Sequence, residues 1–497
     1  MSTESGATGT QPAAASFLVA VSVALAGGVA GALFVGLQPG VNWILIAATV
    51  ALPVALAFRH DVSAHLVMFS GLSLALVLTS VHSSAEWLLL SCLLVALGLA
   101  SAAVAPGSTW FETALGVTAV AWRAPCACAW LLRSRPGAAG RRRVTVAPLM
   151  RGLILGSLLL AIFGALFASA DRAFAQLADR VLLVPDVDTS LLPARAAVAC
   201  LAGLFAGALA SFAPRLEVGN GAPVVWAAER TAGLGERRRR RLGRTEWITA
   251  LAMLDALFAA FVAVQVAVLF GGRDHVLTTS GLTYAEYARS GFWQLAVVAA
   301  LTLAVLGLLA RYARRDDGRD LVVLKVLGGV LIALTLVVLA SAFKRLSLYE
   351  EVYGFTRLRL VVHVALLWFA GIFAMVAVAG ARGSAGWMPR AVVAFSALTL
   401  VIFTLARPDA LIAERNVERF EATGNIDVSY LSSLSPDAVP ALSSLSEPHR
   451  SCTLAGFRSE LAPGEPVLSF NAARDAAREV LHNTPVSATA LETCPYR

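Results

Sequence analysis

Charge is scarce in this chain. Only 14% of its 497 residues are Asp, Glu, Lys or Arg, and 58% are hydrophobic; soluble domains carry about 25% charged residues. With a mean hydropathy of +0.73, that scarcity argues against a string of soluble domains, into which a water-exposed chain of this length would divide. Catalytic signatures are missing too. There is no HExxH, no GxxxxGK[ST], no GxSxG elbow and no GxGxxG after a strand, so zinc-protease, P-loop, serine-hydrolase and dinucleotide chemistries have no sequence support. Cysteines number six. Cys126-Ala127-Cys128 has one residue between its thiols and no His or Cys nearby, so neither a metal site nor a cofactor is expected. The start of the chain lacks basic residues, and its first apolar run, Ser16 to Gly36, exceeds the roughly 7–15 residues of a signal-peptide core. It reads as a signal anchor behind a disordered stretch at 1–15.

What the chain has instead is a succession of apolar runs near twenty residues long. A hydrocarbon core of about 30 Å takes about 20 helical residues. Runs of that kind lie at 16–36, 41–58, 64–82, 86–104, 150–170, 194–213, 247–270, 291–311, 321–341, 357–380 and 391–406. Backbone groups in lipid must be satisfied within each segment, so the expected fold is an all-α polytopic bundle of eleven spans. Residues 107–132, which hold three Trp, Arg123 and Pro125, read as an interfacial helix, the reading that keeps Arg59 inside; the alternative is a further span, which would put the N-terminus outside. Residues 133–149 read as a basic cytoplasmic loop, 150–406 as a seven-span membrane domain, and 407–497 as a small helical extracytoplasmic domain.

Basic residues orient the bundle. Arg59 with loops 133–151, 214–246, 311–320 and 381–390 supplies 21 Lys and Arg, whereas loops 171–193, 271–290 and 342–359 supply 8. Positive loops stay in the cytoplasm, which puts the N-terminus inside and the C-terminal domain outside a bacterial plasma membrane. The net charge of +8 is explained by those segment ends, and nucleic acid is not an expected partner. The lipid bilayer is, together with an external ligand or envelope protein. Small residues at four-residue spacing (Gly152, Gly156, Gly164 and Ala168; Ala199, Gly203, Gly207 and Ser211) predict close helix packing.

Three polar constellations are candidates for function. Tyr284, Glu286, Glu350, Glu351, Arg357, Arg359 and His363 fall in or beside two external loops, with Arg359 and His363 on one helical face. They are expected to converge on a pocket for an anionic or sugar-like ligand, with Glu350 or Glu351 pairing with Arg359 and Glu286 with Arg357. An interfacial belt that anchors helix ends is the competing reading. Asp255 and Lys325 enter from the same side of the membrane and form the natural intramembrane pair. Cys452 and Cys494 lie in the polar tail, in a compartment that permits a disulfide. The stretch YEEVYGFTR approaches the EExxxR of intramembrane proteases, but five residues separate Glu351 from Arg357 and the protease reading fails.

The segments ASADRAFAQL, EWITALAMLDALFAAFVAVQVAVLFGG, GLTYAEYARSGFWQL, KRLSLYEEVYGFTRLRL and RPDALIAERNVERF, followed by GNIDVSYLSSLSPDAVPAL, occur in an order that resembles bacterial membrane proteins of domain-of-unknown-function family 4153/4173, above all actinobacterial ones. The resemblance is strong from 150 to about 445. It implies a polytopic membrane protein and carries no catalytic residue. A non-enzymatic envelope component that senses or binds an external ligand or partner is the expected role. A transporter is the first alternative, weakened by the lack of an internal repeat, and a membrane-embedded transferase or hydrolase is the second.

Overall fold

Long apolar runs with few helix breakers give long helices, and the computed structural model is built of them. It describes residues 17–107, 109–132, 191–213, 244–270, 292–313, 318–461, 466–487, 490–491 and 494. The helices are α1 (Phe17–Phe34), α2 (Val41–Phe58), α3 (Ala64–Leu78), α4 (Glu86–Val104), α5 (Trp110–Leu132), α6 (Leu192–Ala210), α7 (Arg244–Phe270), α8 (Phe292–Tyr312), α9 (Gly318–Tyr353), α10 (Arg357–Arg382) and α11 (Met388–Leu405). Ten of these, all but α5, are long and apolar enough to cross a membrane. Each coincides with one of the expected spans. The expected span at 150–170 and the basic loop at 133–149 lie outside the described residues. No strand occurs among the described residues.

The chain folds as two units. One comprises Met1–Arg230 and Ala462–Asp475, the other Thr231–Leu461 and Ala476–Arg497. In the first, α1 and α6 run antiparallel with their backbones close together. A Cβ added at Gly27 would meet the Ala199 carbonyl oxygen at 2.6 Å, and one at Gly31 would meet that of Arg195 at 2.5 Å. The small-residue face holding Ala199 and Gly203 is thus used for packing within the chain, as glycine-lined faces in membranes usually are. Along the α3–α4 hairpin, His65 Nε2 lies 2.9 Å from Ala102 O and Ser73 Oγ donates to Ala96 O. α5 buries Ala119, Val120, Arg123 and Ala127 on one face and exposes Trp110 and Trp122 on the other. The Arg123 guanidinium donates to Ser211 Oγ and O at the end of α6 and stacks on Phe212.

A segment from late in the sequence completes this unit. Asn471 Nδ2 donates to Ser80 O at 2.7 Å and to Ser83 O at 2.8 Å, Arg474 donates to Pro39 O, and Val41 N donates to Phe470 O. Backbone groups of the turns before α2 and after α3 thereby find partners in this late segment.

In the second unit, α7 and α9 run parallel, tied at one end by Arg244 Nε to Asp320 Oδ1 at 2.9 Å. Their shared core includes Trp247, Leu251, Phe258, Leu331, Leu339, Ala342 and Phe373. α9 has 36 residues. At 1.5 Å per residue that is about 54 Å, far more than the roughly 30 Å of hydrocarbon. Residues 342–353, read from sequence as loop, are therefore the last three turns of a helix. The reason is local: RLSLYEEVY contains no Gly or Pro, and the first breaker is Gly354.

Beyond α11 the chain forms a helical tail: α12 (Pro408–Thr423), α13 (Val428–Ser432), α14 (Val439–Leu442), α15 (His449–Glu460) and α16 (Ala472–Asn483). The Pro- and Ser-rich run is folded into α13, a 3-10 turn at Pro436–Ala438 and α14. Ile412, Leu431, Val439, Leu442, Leu454, Phe457, Ala477 and Leu481 form a core. Cys452 and Cys494 are joined by a disulfide, with Cα atoms 5.8 Å apart.

Candidate functional site at the α9–α10 turn

A helix end leaves four carbonyls without partners inside the helix. α9 stops at Tyr353 because Gly354 takes a left-handed φ of +81, which glycine adopts without strain. Two guanidinium groups meet the carbonyls that are left. Arg359 Nη1 donates to Tyr353 O at 3.1 Å and to Gly354 O, with its Cζ 4.3 Å above the Tyr349 ring. Arg419 of α12 donates to Val352 O at 2.7 Å and to Glu351 O at 3.3 Å. Cations suit the negative end of a helix dipole. α10 then starts at a Thr356 cap whose hydroxyl accepts from Arg359 N.

The tail grips the same turn through buried polar groups. Asn416 is its amide clip: Oδ1 accepts from Phe355 N at 3.1 Å, and Nδ2 donates to Phe355 O at 2.9 Å. The Tyr430 hydroxyl accepts from Arg357 N at 2.7 Å. Asp409 is wholly buried. Its carboxylate takes a two-pronged bond from Arg357, Nε to Oδ1 at 2.9 Å and Nη2 to Oδ2 at 2.5 Å, and another from Ser435 N at 2.8 Å. Beside it, Asp437 accepts from Arg407 Nε at 3.1 Å and from Ser435 Oγ at 3.0 Å. Bidentate guanidinium–carboxylate pairs are strong and directional. These bonds hold a turn between two membrane-length helices to the tail.

Three turns' length of α9 and α10 adds one more pair. His363 Nδ1 lies 3.3 Å from Glu350 Oε1, its Nε2 lies 3.4 Å from Ser347 Oγ, and the Phe343 ring stands edge-on at 4.4 Å. Both titratable groups are buried.

Of the seven residues expected to form a pocket, Glu350, Arg357, Arg359 and His363 do lie at this end, Glu351 is exposed, and Tyr284 and Glu286 lie outside the described residues. The expected pairing of Arg359 is corrected: Glu350 serves His363, and Arg359 serves helix carbonyls and Tyr349. Arg357 binds the Asp409 carboxylate, while the Glu286 expected beside it lies outside the described residues. Sequence reasoning missed Asp409 because Pro408-Asp409 reads as an ordinary helix start. The Asp255–Lys325 pair is corrected too. Lys325 is exposed and donates to Ala381 O at 3.2 Å. With Arg244 level with Asp320, Asp255 falls beside Leu331, about 9 Å further along the bundle than Lys325.

A family model described as "Domain of unknown function (DUF4153)" matches residues 67–445, which takes in most of α3, all of α4–α11 and the tail segment that supplies Asp409, Asn416, Arg419 and Tyr430. The chain belongs to the DUF4153 family. No curated protein and no solved structure matches it. In this DUF4153 member no trio of His, Cys, Asp or Glu able to hold a metal occurs among the described residues.

The Tyr430 phenol is pushed above its ordinary value, first by burial, with the Arg357 backbone N–H pulling the other way. Its neutral form is therefore favoured in the folded tail. That contribution is complete below the unfolded phenol value of about 10 and is lost as pH rises through the higher folded value. The full-length protein should accordingly lose tail stability above a pH of about 10 more steeply than Tyr430→Phe, which at neutral pH should lose only about 1 kcal/mol with the hydrogen bond. Protease-resistance melts across the alkaline range test this. Coincident pH profiles for the two proteins would contradict it.

Proposed function

We propose that the chain is a non-enzymatic component of the bacterial envelope, a multi-pass plasma-membrane protein whose tail domain meets an external ligand or partner. The observation that carries this reading is the Arg357–Asp409 bond with its Asn416 and Arg419 companions. Arginines that could have bound an anion are spent on fixing the tail to the α9–α10 turn. A domain fixed so firmly to two spans is suited to relay an event at its surface to the helices. Of the expected pocket residues, Glu350, Arg357, Arg359 and His363 act in this proposal as the joint of that relay, with Glu351 left at its rim.

The orientation proposed with it has the N-terminus in the cytoplasm and the tail outside. The loop-charge bias supports this. So do the hydrogen bonds of Asn471 and Arg474 to the turns near Pro39 and Ser80, which the same parity puts outside. α5, with its exposed Trp residues and Arg123 at the end of α6, is proposed to lie in the cytoplasmic interface. A single cysteine at Ser444 should then react with an impermeant maleimide on intact cells, and one at Ser384, between α10 and α11, should react only after lysis. The reverse pattern would invert the topology.

A photo-crosslinking amino acid at exposed tail positions tests the function itself. A discrete adduct to one envelope component, formed in living cells and lost in Asp409→Asn, is the expected result; uniform absence of adducts across the tail surface would count against the reading. Transport is the second reading, and the mid-span carboxyl of Asp255, buried with both oxygens unpartnered among the described residues, is what favours it.

A further inference from the structure

We propose that Asp255 is a membrane-embedded proton-binding site, a carboxylic acid held in its protonated form half way along α7. Three observations carry this. The first is depth. Asp255 stands eleven residues beyond Arg244, in the apolar span Arg244–Ala263, hence about 16 Å from that end of a hydrocarbon layer about 30 Å thick. The second is direction. Trp247, Leu251 and Phe258 are buried on α7, and Asp255, 8% exposed, lies on the same stripe at helical spacing, turned to the core rather than to lipid. The third is isolation. Neither Oδ1 nor Oδ2 has a hydrogen-bond partner among the described residues.

No charged group in the described helices packed around it compensates a carboxylate. On α7, Glu246 is nine residues away, about 14 Å. On α9, Asp320 is paired with Arg244 at the helix end, and Lys325 is occupied at Ala381 O. Lys344 and Arg345 lie about 20 Å further along. α8 offers only Arg311 and Tyr312 at its last turn, and α10 offers Arg357 and Arg359 at its start, engaged at Asp409 and at the end of α9, His363, held at Glu350, and Arg382 at its far end. Beside Asp255 the register puts Leu331, with Thr335 one turn on. An ionised carboxylate there would be desolvated and uncompensated, a state proteins avoid by taking up a proton. A proton is also the one ligand that needs no cavity.

Apolar carbodiimides read this state directly. A protonated carboxyl gives its proton to a carbodiimide nitrogen while its oxygen bonds to the central carbon, and the O-acylisourea formed rearranges to a stable N-acylurea. No oxidant or further reactant takes part. The full-length protein in membrane vesicles would be treated with N-cyclohexyl-N′-(1-pyrenyl)carbodiimide at neutral pH and the adduct mapped by mass spectrometry. The expected result is one fluorescent adduct on Asp255, lost in Asp255→Asn, retained in Asp255→Glu, and declining as the pH is raised. A water-soluble carbodiimide should leave Asp255 unmodified while reacting at exposed Glu351. Failure of the apolar reagent to label Asp255 in the wild-type protein, labelling that does not fall at alkaline pH, or equal labelling by the water-soluble reagent would each overturn the proposal. Mapping on the unmodified sequence keeps the test independent of how well the variants fold.

Discussion

Asp409→Asn should cut the tail loose from the α9–α10 turn and cost about 3–5 kcal/mol, the range for removing one member of a buried ion pair. The magnitude follows from what stays behind. Asp409 is wholly buried and accepts three hydrogen bonds, two from the Arg357 fork and one from Ser435 N. A neutral amide can accept through one oxygen only and presents donors to donors. Arg357→Leu should cost a comparable amount by stranding the carboxylate. Because each variant already breaks the same bond, the double variant should cost much less than the two together. Heat-ramped proteolysis of the detergent-solubilised full-length protein, read on fragments released beyond Arg407, measures all three. Additive losses, or an Asp409→Asn protein as resistant as wild type, would show that the pair is incidental to the tail's attachment.

Removing the Cys452–Cys494 disulfide is expected to have an effect of similar size. The bridge closes 42 residues of separation, for which loop-closure entropy gives about 4 kcal/mol. The tail's core is small, and among the described residues the segment after α16 meets α15 where Ser487 N donates to Ser451 Oγ at 3.0 Å and Cys452 Sγ lies 3.9 Å from Ala490 O. Cys452→Ala with Cys494→Ala should therefore lower the protease-resistance midpoint of the tail sharply and leave fragments from α1–α4 unaffected. Wild-type protein with reductant should behave like the variant. A midpoint unmoved by either treatment would mean that the helical core alone sets tail stability.

Much of the architecture was legible before any coordinates. Nine apolar runs could be marked to within a few residues, and the start of a tenth, because hydropathy over twenty residues is a large summed signal. The tail's cysteines could be paired because only two of the six lie outside apolar or interfacial segments. What stayed hidden was register and partnership. Whether Asp255 meets Lys325 depends on where α9 begins relative to α7, and the Arg244–Asp320 bond that fixes this is formed by residues 76 apart. Arg357 finds its carboxylate 52 residues on, in a helix whose first turn gives no outward sign that an Asp there is buried. The length of α9 was hidden for another reason: charge in KRLSLYEEVY mimics a loop, while helix propensity and the absence of a breaker keep it helical to Tyr353.

The use of Asn471 and Arg474 to satisfy turns near Pro39 and Ser80 bears on biogenesis. During synthesis the first four spans leave the ribosome nearly four hundred residues ahead of the side chains that satisfy them. Insertion can proceed vectorially, yet the early spans stay unfinished until the late segment has been delivered to their side of the bilayer. In the interval the carbonyls of Pro39, Ser80 and Ser83 lack the bonds that Asn471 and Arg474 bring. Truncations placed at the apparent start of the tail would prolong that state, so their poor accumulation would report an unfinished N-terminal half as much as a missing C-terminal domain.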